Sequence, residues 1–501
     1  MAYYRRLGEV PPQRHIQHRD PQGRLYFEEL MGEEGFSSDS SLLYHRFIPS
    51  AISDAREWPL DLRTTPNHPL LPRHLKLHDL FDADSHGVDV VTGRRLVLGN
   101  GDVRISYVVA DAPSPWYRNG IGDECIYVER GGARVETVFG MFVVGEGDYL
   151  VIPRATTHRW LPLVAGDEGY AEPLRAYAIE ANSHIAPPKR YLSKFGQLLE
   201  HAPYCERDLR GPEGPLLAED IGADPEAATE VYIKHRTSTG IVGTVYTYPY
   251  HPLEVVGWDG CLYPYAFNVA DFEPITGRVH QPPPVHQVFE GYNFVICNFV
   301  PRKVDYHPLS IPVPYYHSNV DSDEVMFYVD GDYEARKGSG IGRGSISVHP
   351  GGHAHGPQPG ADQGVDHVAV EERPGRLAVQ QEHGRGVPGS VRVGGDAERG
   401  PAVGVVDGDV PGFEREAREI LEAVVRRAQQ VHGGQGGTAV QAGHDRRHRV
   451  RRAPPVPRFA EAARHGAGHH PDHAGAHRRR PRHAVGSAVA SGRRGVGGLP
   501  R

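Results

Sequence analysis

The feature that most constrains this chain is an internal echo. Residues 123–131, DECIYVERG, return as residues 323–331, DEVMFYVDG, at an offset of 200. Each is followed by a second block, GDYLVIPRATTH at 147–158 and GSISVHPGGHAH at 344–355. Both second blocks run from Gly through five residues to Pro, then reach His five positions later. The same two blocks in the same order imply a duplicated unit, so one local pattern must fold twice. That pattern is made of strands. Short runs rich in Val, Ile, Tyr and Phe, such as DVRISYVV, TGIVGTVYTYP and GYNFVICNFVP, are separated by Gly, Pro and Asp turns. Long segments of 3.6-residue periodicity are scarce, so the chain is expected to be all-β, a sandwich or barrel with a few short helices, one of them around residues 24–33.

Composition divides the chain once more. From residue 361 there is no Lys, Tyr, Trp, Asn, Cys or Met, and Gly, Arg, Ala, Val and His dominate. Residues 361–501 hold 23 Arg against 16 acidic residues, or +7, whereas 32 basic and 47 acidic residues leave the remainder at −15. An acidic body argues against nucleic acid as the main partner, because phosphate binding needs clustered cations. The tail carries too little apolar content to offset the entropy of ordering, apart from one candidate helix at 412–431. Such a change is what a shifted reading frame in a GC-rich gene would produce. The expected organisation is therefore an N-terminal β domain (1–200), a C-terminal barrel (201–360) and a low-complexity tail (361–501). No apolar run reaches the roughly 20 residues that span a bilayer. The N-terminus, MAYYRRLGEV, is not a leader, and the four cysteines form no CxxC pair. A cytoplasmic protein with free thiols and no membrane partner is expected.

The C-terminal copy carries chemistry that the N-terminal copy lacks. Two histidines and one carboxylate on one face of a metal make an iron(II) site for oxygen chemistry, with the remaining positions open. His317, Glu324 and His355 can supply that set from neighbouring strands. In the first copy Glu124 and His158 remain, but Tyr117 stands where His317 should be. A metal is expected only in the second, with Glu124 and His158 bonded to one another or to the backbone.

The spacing His317–Asn319–Glu324–Gly331, then Gly344–Pro350–Gly352–His355, resembles the paired signature motifs of the cupin superfamily, with Asn319 in place of the usual second histidine. The resemblance implies a duplicated double-stranded β-helix, a bicupin, with three protein ligands. A closer resemblance rests on EVVGWDGCLYPYAFNVADF (254–272), RVHQPPPVH, PVPYYHSNVDSDEVMF, DGDYEARKG and SVHPGGHAHGP. In that order these are similar to the homogentisate 1,2-dioxygenase family over residues 1–360. The family implies an Fe(2+) enzyme that opens a hydroquinone ring with O2 to give maleylacetoacetate in tyrosine and phenylalanine breakdown. It implies His317, Glu324 and His355 as metal ligands and His280, with His286 as competitor, as the acid–base. Tyr333 with Arg336 or Lys337 would hold the substrate carboxylate. His349 would stand beside the metal and Asn319 would orient substrate. A homo-oligomer, trimer or hexamer, is also implied. One extra residue between His and Glu puts Asp323 beside Glu324; Glu324 is preferred because it keeps the spacing to Gly331 and matches Glu124. The alternatives are a cupin dioxygenase acting on gentisate or another hydroquinone, and a non-enzymatic or inactivated cupin. The serines of FSSDSSLLYHR and the glycines of GSGIGRG carry no readable chemistry.

Overall fold

The computed structural model describes residues 3–81, 86–273, 286–300, 315–330, 336, 338–357 and, as backbone, 376–381 and 404–405. Strands dominate it. Among the described residues the α-helix is a single turn, Leu77–Leu80, joined by short 3-10 turns. The helix expected around residues 24–33 is instead the strand Phe27–Glu34, paired antiparallel with Ser37–His45. Its glutamates favour a helix locally, but pairing against the buried Leu42, Leu43 and Tyr44 overrides that preference. The candidate helix at 412–431 lies outside the described residues.

Two sheets close on one another to form the first barrel. One includes Tyr265–Asn268, Asp148–Ile152, Glu124–Arg130, Leu174–Ala181, Val103–Ala110 and Arg95–Gly99; the other includes Gly132–Thr137, His158–Pro162, Trp116–Asn119, Thr229–Thr237 and Gly240–Tyr248. The second barrel is built on a six-stranded sheet, in the order Gln287–Gly291, Phe294–Asn298, Arg376–Gln381, Glu324–Tyr328, Ser345–His349, Arg73–Lys76. Side-chain alternation explains how both cores form from one set of strands. Even-numbered Val108, Ile126, Val128, Leu150 and Ala178 fill the first barrel with Val135, Phe142 and Trp160 of the facing sheet. Odd-numbered Ile105, Tyr107, Tyr127, Tyr177 and Ile179 turn outward and share a core with Phe289, Ile296, Val325, Phe327 and Val348 of the second barrel. Phe327 stacks on Tyr177 with ring centroids 4.6 Å apart. A strand such as Val103–Ala110 is therefore buried at every position, including Arg104 and Ser106.

Two of the expected boundaries are crossed by sheet hydrogen bonding. Thr229–Thr237 and Tyr265–Asn268 pair with strands of the first barrel, well past 200, and Arg73–Lys76 from the N-terminal half forms an edge of the second barrel. Arg376–Gln381, inside the expected tail, lies between Phe294–Asn298 and Glu324–Tyr328. Composition marks where residue usage changes; it carries no signal of which distant strand completes a sheet. Among the described residues no helix is long and apolar enough to cross a membrane.

A four-stranded sheet, which includes Phe27–Glu34, Ser37–His45 and Val255–Gly260, packs beside the first barrel and ends in a buried charge cluster. His45 is bonded through Nδ1 to Glu254 and through Nε2 to Glu29 at 2.9 Å. Burial alone would lower the imidazole pKa, but the two carboxylates outweigh it and raise it from 6.5 to about 9. The sign follows from that direction: the stabilisation is complete below pH 6.5 and is lost as pH rises through about 9. We expect urea unfolding to show about 3 kcal/mol less stability at the top of that window, with the slope absent in His45→Gln. Equal slopes in the two proteins would remove His45 as its source.

Candidate metal centre

Sheet register brings the three candidate ligands together. Glu324 opens its strand opposite His349 on one side and Gln380 on the other. His317 and His355 form an isolated antiparallel bridge, each amide donating to the other's carbonyl at 2.8 Å. As a result one donor atom from each of His317, Glu324 and His355 lies within 4.8 Å of the others, the only such group of three among the described residues. Glu324 Oε2 is 3.5 Å from His317 Nε2, and Glu324 Oε1 is 3.2 Å from His355 Nε2.

The donor set fits a divalent metal. His355 Nδ1 sits 3.0 Å from the His353 carbonyl and donates to it, which leaves the lone pair on Nε2. That Nε2 is buried and has no hydrogen-bond partner, since its approach to Glu324 is out of line. A buried nitrogen facing a carboxylate at 3.2 Å is completed by a positive charge between them, either a proton or a metal ion. Burial works against ionisation of Glu324, but its contacts with His317, His349 and His355 hold the carboxyl well below the usual range. His355 is shifted upward by the same carboxylate against its own burial, whereas burial carries His349 downward.

The neighbours hold Glu324 in place. His349 Nδ1 lies 3.1 Å from Glu324 Oε1, and its ring stacks on that of His355 at 4.0 Å. Asn319 Nδ2 donates to Glu324 Oε2 at 3.3 Å, so the amide expected to orient substrate is engaged with the ligand carboxylate. Asp323 plays a different part, since its Oδ1 accepts the Gly351 amide at 2.8 Å and ties down the turn leading to His355. Asp123 does the same in the first barrel, accepting from the Arg154 and Ile185 amides at 2.7 and 2.8 Å. The repeated Asp–Glu pair is the sequence signal for this division of labour, one that spacing between metal ligands does not reveal. Gly352 takes φ +75° in that turn and donates to the Asn319 carbonyl at 2.6 Å. Gly344, also at positive φ, leaves room for His78, whose ring would lie 2.4 Å from a Cβ there.

The first barrel shows what the same frame becomes with a different charge in it. Tyr117 and His158 pair as His317 and His355 do. His158 Nδ1 bonds the Thr156 carbonyl at 3.0 Å, again two residues back, as expected of a backbone-bonded histidine. Glu124 is not bonded to His158. It accepts from Tyr117 Oη at 2.6 Å, Asn119 Nδ2 at 3.0 Å and Arg94 Nη1 at 3.0 Å. Arg94 also reaches Glu180 at 3.0 Å, and Lys234 Nζ pairs with that same carboxylate. Covalently bound cations therefore occupy the charge position that a metal would fill. Burial works against the ionisation of Glu124, but Arg94 outweighs it and lowers its pKa. Neither Arg94 nor Lys234 is near Glu124 in sequence, so no motif announces them.

Arg336 Nε donates to Tyr328 Oη at 3.0 Å and Nη1 to the Gly356 carbonyl at 2.6 Å, beside His355 in the chain. His286 is buried with its ring 4.7 Å from Phe299. His280, Tyr333 and Lys337 lie outside the described residues.

Residues 277–379 match a family model described as homogentisate 1,2-dioxygenase C-terminal. A protein of Saccharolobus solfataricus named "Putative dioxygenase" is 38% identical over 368 residues, covering 72% of this chain and 88% of that protein. The homogentisate 1,2-dioxygenase of Emericella nidulans is 26% identical over 395 residues, covering 73% of this chain and 82% of that protein. That of Rhodopseudomonas palustris strain BisA53 is 27% identical over 400 residues, covering 73% and 81%. The family match runs to residue 379 and so takes in most of the Arg376–Gln381 strand.

Proposed function

We propose that this chain, which belongs to the homogentisate 1,2-dioxygenase family, uses iron(II) and O2 to open the ring of homogentisate and yield maleylacetoacetate in tyrosine breakdown. The observation that carries the reading is the cluster of two histidines and one carboxylate, His317, Glu324 and His355, with donor atoms within 4.8 Å of one another. His317, Glu324 and His355 would hold the metal. Iron(II) bound there supplies the one-electron chemistry that couples an electron-rich ring to O2, which organic side chains lack.

The remaining work belongs to the protein. His349 and Asn319 keep the Glu324 carboxylate from rotating, through contacts of 3.1 and 3.3 Å. His280 takes the proton of a ring hydroxyl, a role suited to an imidazole that titrates near neutrality. Arg336 and Tyr333 receive the acetate group of the substrate, to which a guanidinium and a phenol are complementary. We expect Arg336→Ala to raise KM roughly 10- to 150-fold, the loss of one charged hydrogen bond. An effect on kcat alone would take Arg336 out of carboxylate binding. The substrate assignment is tested by anaerobic iron(II) loading followed by O2 uptake with homogentisate and gentisate in parallel. Faster turnover of homogentisate supports it; uptake with gentisate alone overturns the substrate while leaving ring opening in place.

A further inference from the structure

A second site lies away from the metal ligands, between the N-terminal four-stranded sheet and the outer sheet of the first barrel. A solvent-open cleft is lined there by Glu29, His45, Arg118, Tyr248, Tyr250 and Glu254, with apolar side chains completing the wall. On one wall Arg118 donates from Nη2 to Tyr248 Oη and lies 5.6 Å over the Tyr248 ring, while its Nε is buried without a partner. Among the described residues no carboxylate pairs with this guanidinium. On the other wall His45 donates from both ring nitrogens, and Glu254 is saturated by His45 and by the amides of Arg46 and Phe47 at 2.7 and 3.2 Å. Glu29 binds His45 through Oε2, and among the described residues its Oε1 has no partner. Its side chain is 38% exposed.

The cleft therefore offers an unpaired guanidinium donor and an unpaired carboxylate oxygen, with tyrosine rings and apolar groups around them. Two acids and two cations line it, so an overall neutral ligand leaves the charge balanced. A simple anion or cation would add an uncompensated charge in a partly desolvated place. We propose that this cleft binds a free α-amino acid with an apolar side chain, its carboxylate on Arg118 and its ammonium on Glu29. The bound carboxylate pairs with a guanidinium that no carboxylate among the described residues satisfies, and the ligand's side chain packs on Tyr248 and Tyr250.

The test is calorimetric titration of the iron-loaded full chain with L-leucine and L-phenylalanine. Isocaproate, which lacks the ammonium group, and isoamylamine, which lacks the carboxylate, serve as comparison ligands. We expect saturable binding of at least one amino acid, at least about tenfold tighter than either comparison ligand. Arg118→Met weakens it roughly 10- to 150-fold. Glu29→Gln, which keeps the side-chain volume and is checked for native unfolding behaviour first, narrows the gap between leucine and isocaproate. Absence of binding by both amino acids, unchanged affinity in Arg118→Met, or isocaproate binding as tightly as leucine each overturns the proposal.

Discussion

Glu324→Ala is expected to lose iron affinity by well over a hundredfold and, with it, all oxygen uptake. Even changes to residues that merely orient a metal ligand cost roughly 10- to 100-fold, and Glu324 provides the sole carboxylate of the cluster. Removing it also leaves the imidazoles of His317, His349 and His355 crowded together with no anion among them. Glu324→Gln separates the two effects, since it keeps the side-chain volume and removes the charge. Asp323→Ala is the matched control: it loosens the Gly351 turn and leaves the donors in place. Metal analysis by mass spectrometry distinguishes these outcomes. Iron retained in Glu324→Ala but lost in Asp323→Ala would move the ligand by one residue.

The second large effect is expected in the barrel without the two-histidine set. Lys234→Met leaves Glu180 buried with one of its cations gone, and breaking such a pair typically destabilises by about 3–5 kcal/mol. Arg94→Met strips both Glu124 and Glu180 of a partner and belongs in the same range. Adding Glu180→Gln to Lys234→Met should recover much of the loss, because it removes the stranded charge rather than the contact. Denaturant midpoints at constant slope give these values. A loss below about 1 kcal/mol in the single variants would mean that water or other groups already neutralise the carboxylates.

What was legible in the chain follows from what spacing encodes. Glu324 opens a paired strand and His317 faces His355 across an isolated bridge, so two short-range pairings within 317–355 bring the three together. The duplication made the barrels readable for the same reason, and Tyr117 in the first copy marked where the ligand set breaks. The less legible parts depend on partners far away in the chain. Arg73–Lys76 joins the edge of the metal-bearing sheet from the opposite end of the body, because Ser345–His349 needs a neighbour on that side. Arg94 and Lys234 meet Glu124 and Glu180 only after the barrel closes. Phe27–Glu34 reads as a helix in isolation and becomes a strand through its long-range sheet. The Asn319 amide could face either substrate or Glu324 by spacing alone, and its direction is a matter of side-chain rotation.

The central claim is a single metal site per chain, in the second barrel, held by His317, Glu324 and His355. Anaerobic iron(II) titration of the wild type beside His355→Ala and His158→Ala tests it most directly. The account predicts one iron per chain in the wild type and in His158→Ala, and none in His355→Ala. Full iron binding by His355→Ala, or its loss in a folded His158→Ala, would contradict it.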